Sequence, residues 1–123
     1  MINLAKLDRH GVGKLFDYSV LPKQTTEKEI RLGCRQAIEY NCAAFYSASP
    51  YWTPVVKEEL QGSDVLVATG IDFPFGVSPS VVKVLEVERA IAAGCQSVDL
   101  VINIGALKSG HVDVVRQEIK DFV

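Results

Sequence analysis

The stretch "SVDLVINIGALKSG", Ser97 to Gly110, decides how the fold is read. Val98, Leu100, Val101, Ile102 and Ile104 give it the near-continuous apolar character of a strand buried on both faces. Asp99 interrupts that run, and Asn103 follows four residues later. An isolated buried carboxylate costs several kcal/mol unless it is paired, hydrogen-bonded or neutralised. Alternate strand residues share a face, so the spacing predicts Asp99, Val101 and Asn103 on one side and Leu100 and Ile102 on the other.

Working outward, the same kind of unit repeats. "KLFDYSVL" (Lys14 to Leu21) reads as a first strand, and the helix after it opens on Thr26 with Glu29 three positions on, a capping-box spacing. Ile30, Cys34, Ala37 and Ile38 then fall on one helical face. "CAAFYSA" (Cys42 to Ala48) is a second strand, followed by a helix with Thr53 as N-cap, Pro54 at its first position and Gly62 just past its end. "DVLVATGI" (Asp64 to Ile71) is a third strand. A long helix starts near Pro79 or Ser80, carries Val81, Val84, Leu85, Glu88 and Ile91 at helical spacing, and stops at Gly94. The strand with Asp99 is the fourth, and "HVDVVRQEIKDFV" begins a fourth helix.

Four strands alternating with helices imply a parallel sheet with crossover helices. Two architectures fit: an open doubly wound sheet, or half of a (β/α)₈ barrel, which takes ~250 residues. Asp17 and Ser19 share one face of the first strand, and Thr69 lies near the end of the third. A barrel offers such groups and Asp99 a common interior, but spacing alone leaves both architectures open.

Composition narrows the class. The chain has 123 residues, read as a single domain; it is 48% hydrophobic and 23% charged, as in an ordinary soluble globular protein. A formal net charge of -2 provides no basic footprint for nucleic acid or a membrane surface. No apolar run approaches the ~20 residues needed to span a bilayer. "MINLAKLDRHG" mixes charges into its apolar residues and does not read as a signal peptide. Cys34, Cys42 and Cys95 lack C-x-x-C spacing, so no zinc site or disulfide framework is expected, and a reduced, cytoplasmic setting is.

The stretch from Thr69 to Gly110 also resembles a known family. Thr69, Phe73, Pro74 and Gly76 match a T-x-x-x-F-P-x-G loop. Val82, Lys83, Glu86, Ala90, Ile91 and Gly94 match the helix after it, and Asp99 to Gly110 match a D-x-V-I-N-I-G-A-L-K-x-G strand and loop. These are similar to the deoxyribose-phosphate aldolases, and the likeness spans roughly residues 12 to 120. The resemblance implies the N-terminal half, four βα units, of a (β/α)₈ TIM barrel. It implies a class I aldolase that joins acetaldehyde to glyceraldehyde 3-phosphate, or cleaves 2-deoxyribose 5-phosphate, through a lysine Schiff base and without a metal or other cofactor. Asp99 matches the family's proton-shuttling aspartate. Asp17, Ser19 and Phe73 are the candidate substrate-binding residues. Its partners would be a small aldehyde or sugar phosphate and further copies of itself, not nucleic acid or membrane.

The chain departs from the pattern. The family's Schiff-base lysine lies on a later strand. Here Lys28, Lys57, Lys83 and Lys120 fall on predicted helices and Lys23 and Lys108 in loops, so the isolated chain is expected to be inactive. The first strand reads Asp17-Tyr18-Ser19 where the family has D-H-T, and Tyr46-Ser47-Ala48-Ser49-Pro50 replaces a cysteine–asparagine stretch. Asp72 would place an extra negative charge near the mouth, against a phosphorylated substrate unless it faces away.

Plainer readings stand beside these. Asp99 could be a structural hydrogen-bond acceptor, Asp17 and Ser19 second-layer hydrogen-bond partners, and Phe73 a core aromatic. Glu86, Glu88 and Arg89 read as a solvated helix face, and His10 and His111 as surface residues. One alternative function is a non-catalytic half-barrel that self-associates through its exposed sheet edges; another is an aldolase-like enzyme for a different carbonyl substrate. A small phosphoacceptor or nucleotide-binding domain lacks support, for there is no G-x-G-x-x-G and no P-loop.

Overall fold

A computed structural model describes residues 7–123. The first six residues of the stretch read as lacking a signal sequence lie outside the described residues. The elements run α1 (Arg9–Gly13), β1 (Asp17–Val20), α2 (Glu27–Glu39), β2 (Ala44–Ser47), a 3₁₀ turn (Pro50–Trp52), α3 (Thr53–Glu59), β3 (Leu66–Ile71), α4 (Ser80–Ala93), β4 (Ser97–Leu100), α5 (Ile104–Lys108) and α6 (Val112–Phe122).

The four strands pair in parallel in the order β1-β2-β3-β4. That order decides between the two architectures. Crossovers between parallel strands are right-handed, so a sheet that always adds the next strand on the same side keeps every helix on one face. A doubly wound sheet must reverse direction to cover both faces. Here α2 packs on β1 and β2, while α3 and α4 pack on β3. The fold is the N-terminal half of a (β/α)₈ barrel.

The helix-facing row of the sheet builds the core. Phe45 and Val67 are buried with Ile30, Cys34 and Ala37 of α2 and with Val56 and Leu60, and Tyr18 and Val20 pack against them. Ile71 joins Val87 and Ala90 of α4 and Cys95, with Val98, Leu100 and Phe122 alongside. Each fully buried large apolar side chain contributes about 1.5–3 kcal/mol, which makes this layer the main source of stability.

Local signals mostly act as read. The Thr26 backbone N–H and hydroxyl both donate to Glu29 Oε2, at 2.7 and 2.8 Å, and start α2. Gly94 ends α4 in the left-handed region at φ 105°, where a side chain would be strained. Three details differ. The cap of α3 is Trp52, one residue earlier than expected, because Pro50 starts a 3₁₀ turn that runs straight into the helix. Ile38, placed on the buried face of α2, is 40% exposed. On α4 the buried stripe is Lys83, Val87 and Ala90, whereas Val81, Leu85 and Ile91, read as its apolar face, are exposed.

Candidate active site

The face of the sheet turned away from the helices carries the polar row. Register puts Asp17, Ser19, Ala44, Tyr46, Leu66, Ala68, Gly70, Ser97 and Asp99 on it. Asp99 is exposed, and the flanking Leu100 packs into the α4 core on the opposite face. Within the described residues no element covers the Asp99 side of the strand, which is the interior side of a closed barrel.

β4 is also shorter than expected. It ends at Leu100, and Asn103 leaves the strand to cap α5, its side-chain oxygen accepting from the Ala106 N–H at 2.9 Å. Asn103 thus does not share a strand face with Asp99. Asn is a preferred N-cap because its side chain satisfies a free first-turn N–H, and that local gain outcompetes strand extension.

Asp99 is level with Gly70 near the end of β3, whereas Asp17 is level with Ala44 and Leu66 at the start of the strands. Asp17 and Asp99 are therefore offset by four residues, ~13 Å, along the strands, and by three strands across them. Ser19 lies between those levels, beside Tyr46. Both Asp17 and Ser19 are exposed. Thr69 does not belong to this row. It is fully buried on the helix side with Val67 and Ile71, where its hydroxyl donates to the Ser47 carbonyl at 2.8 Å.

Phe73 stands just past β3, 36% exposed, with its ring edge-on to Tyr46 at 6.1 Å. It lines a groove of about 480 Å³ at the C-terminal ends of β1, β2 and β3, with Lys23, Ser47, Trp52, Phe75 and Glu86 among the other walls. Tyr46 itself is 6% exposed in a cluster with Ala44 and Ala68. Burial, helped by the nearby Asp99 charge, pushes its phenol up to about 12.

Past the ends of β3 and β4 lies a charged cluster. Lys83 is 1% exposed; its Nζ donates to Glu118 Oε1 at 2.6 Å and to the carbonyls of Gly76 and Val101 at 2.9 Å each. All three ammonium protons are used. Asp72 lies 3.5 Å away, and Glu118 also accepts from the Asn103 N–H at 3.0 Å. One lysine thus ties α4, the β3–α4 loop, the segment after β4 and α6 together. Gly76 fits because its φ is 68° and a Cβ there would run into the Ile102 carbonyl.

Asp72 therefore faces away from the mouth. Its carboxylate accepts from the Ser78 N–H and hydroxyl at 2.7 and 2.8 Å. Burial pushes its carboxyl up, but those bonds and the Lys83 charge outweigh it and hold the group below its ordinary value. Glu86 is not on a solvated face either: it accepts from the Asp72 N–H at 2.7 Å. Glu88 and Arg89 are exposed as expected.

Motif matching does not mark Tyr46 or Lys83 as site residues, yet each has a signal in the sequence. Tyr46 sits two residues from Ala44, on the opposite parity from core Phe45, and so faces the polar row. Lys83 sits four and seven residues before Val87 and Ala90, on the buried stripe, and a lysine at such a position requires a counter-charge. Among the described residues, no group of three or more His, Cys, Asp or Glu is placed to hold a metal ion.

The chain matches no family model. It is 39% identical over 112 residues to a deoxyribose-phosphate aldolase from Clostridium tetani, covering 91% of this chain and 51% of that one. A solved structure described as QR15, an aldolase, superposes with a TM-score of 0.84 at 32% identity, over 90% of this chain and 49% of that one. The deoxyribose phosphate aldolase from Aeropyrum pernix, described as having a unique tetrameric structure, shares the fold with a TM-score of 0.75 at 22% identity, over 98% of this chain and 53% of that one. The chain spans about half the length of the curated relatives it matches. In sequence and in fold, it is similar to about half of a deoxyribose-phosphate aldolase.

Proposed function

We propose that these residues form the N-terminal half of the active barrel of a Schiff-base aldolase. It would act on a small aldehyde or sugar phosphate of the 2-deoxyribose 5-phosphate type. The observation that carries this reading is Asp99: a carboxylate on the barrel-side face of β4, near the strand's C-terminal end, where (β/α)₈ enzymes place their chemistry. There it takes the proton released when a lysine amine adds to the substrate carbonyl, and returns one as water leaves the carbinolamine. Phe73 presents an apolar wall to the substrate, and Ser19 and Asp17 add polar groups progressively deeper in the barrel. The amine comes from outside these residues. Lys83 is committed to Glu118 and two carbonyls, and Lys14 to Asp64 at 2.8 Å and the Cys42 carbonyl at 3.0 Å. The setting is cytoplasmic. No helix of the described residues is long and apolar enough to cross a membrane.

Borohydride reduction in the presence of acetaldehyde tests this. Residues 1–123 alone should give no stoichiometric single-site adduct, while the full-length protein should give one that mass spectrometry places on a lysine beyond residue 123. A stoichiometric adduct on a lysine of residues 1–123 would overturn the assignment.

A second reading concerns association. On the barrel-side face Leu66 is 42% exposed, and β1 and β4 each have one free edge. Residues 1–123 alone should therefore sediment as a dimer or larger species. A well-folded monomer at micromolar concentration argues against it.

A further inference from the structure

Tyr46 lies on the site face, yet only 6% of it is exposed. Its register partner on β3 is Ala68, and the next residue on that face is Gly70. Neither has bulk, so the ring has room to lean over β3. A side chain at Gly70 would run into the Tyr46 hydroxyl, which fixes where that oxygen is. Gly70 is the register partner of Asp99, and adjacent strands are ~4.8 Å apart. The phenol oxygen therefore sits one strand from the carboxylate. Phe73 braces the ring edge-on from the strand end.

We propose that Tyr46 is a specificity-determining residue: its ring occupies barrel-side space over Gly70 beside Asp99 and so favours a short aldehyde over a longer one, with the phenol hydroxyl available to the oxygen that the substrate presents there. This rests on the aldolase reading. A phenol in that position fills volume that a longer carbon chain needs, and one extra methylene against a filled wall is discriminated 10–200-fold in typical pockets. The hydroxyl keeps a polar point in the wall, and the nearby Asp99 charge favours its protonated, donating form.

Two measurements on the full-length protein test this. The first is ultraviolet titration of tyrosinate, with Tyr46→Phe subtracted from wild type. The Tyr46 phenol should titrate near 12, against an ordinary value of about 10, and its midpoint should fall when Asp99→Asn removes the charge. A midpoint near 10 that ignores Asp99→Asn overturns the placement, whatever the protein's activity. The second is the ratio of kcat/KM for a four-carbon aldehyde over acetaldehyde. Tyr46→Ala should raise it at least ~10-fold, and Tyr46→Leu, which keeps the apolar contacts with Ala44 and Ala68, should raise it less. Tyr46→Phe should leave the ratio unchanged while raising KM. An unchanged ratio in folded Tyr46→Leu and Tyr46→Ala overturns the specificity role, while loss of turnover in Asp99→Asn in the same assay leaves the aldolase reading standing.

Discussion

Replacing Lys83 by Met should be among the most damaging single changes to stability in this chain. The side chain is 1% exposed, and Glu118 beside it is 5% exposed. Methionine preserves much of the volume and the apolar stem but removes the charge and three donors. Glu118 is then buried with only the Asn103 N–H, and the Gly76 and Val101 carbonyls lose their partner. Breaking a buried pair on one side costs about 3–5 kcal/mol. That is a large part of the 5–15 kcal/mol that ordinarily separates folded from unfolded states. At ~4 °C per kcal/mol for a chain of this size, the melting temperature falls by roughly 12–20 °C. Urea unfolding followed by circular dichroism measures it, and a double-mutant cycle with Glu118→Leu separates the pair from the rest. Removing both charges should cost less than the sum of the singles, because neither is then stranded. A loss under about 1 kcal/mol for Lys83→Met, additive with Glu118→Leu, would refute the account of the cluster as the tie between α4, α6 and the strand ends.

Asp72 makes the cluster sensitive to acid. Its folded carboxyl is held below its ordinary value, so its contribution is present above about pH 4 and is lost as pH falls through the lower folded value; Asp72→Asn should flatten the acid limb of a stability–pH profile. Gly76→Ala should destabilise by more than ~1 kcal/mol in thermal melts, since it combines a positive φ with a clash against the Ile102 carbonyl. The Cys34 thiol, fully buried and pushed up to about 12 by that burial, should resist iodoacetamide at pH 8 until the chain unfolds; rapid alkylation under native conditions contradicts the packing of α2. Asp99→Asn in the full-length protein should lower aldol turnover ~10²–10⁴-fold and leave the melting temperature nearly unchanged, because asparagine keeps the size and shape of the side chain and no hydrogen bond to Asp99 within the described residues is lost. The opposite pattern, a lowered melting point with turnover intact, would make Asp99 structural.

The repeating units were legible because their signals are local. A capping box at Thr26 and Glu29 and a glycine at position 94 act within a turn or two of the chain. That Asp99 and Leu100 stand on opposite faces of β4 was legible from alternation alone. What failed was the reading of run composition. Val98 to Ile104 looked like one long buried strand, but Asn103 competes for the backbone and wins by capping α5. Thr69 looked like a site residue, yet its parity with Val67 and Ile71 assigns it to the core, where one hydrogen bond to Ser47 satisfies it.

Charge was the harder misreading, because an ion pair across sequence has no local signature. Lys83 and Glu118 are 35 positions apart, and each alone looks like an ordinary helix surface residue. Only the helical phase of Lys83, on the stripe with Val87 and Ala90, marks it as buried. The same phase argument redirects Asp72. A carboxylate at a strand end reads as a threat to an anionic substrate, but a lysine one loop later, on the inward stripe of α4, and the Ser78 amide and hydroxyl hold it in the β3–α4 loop. Of the acidic groups near the strand ends, Asp72, Glu86 and Glu118 are spent on backbone amides and Lys83. Asp99 accepts no hydrogen bond among those found within the described residues and remains accessible on the site face. The fold thus sorts its carboxylates: those that hold loops in place are engaged, whereas Asp99, on the opposite face of the sheet from the helices, carries no such tie.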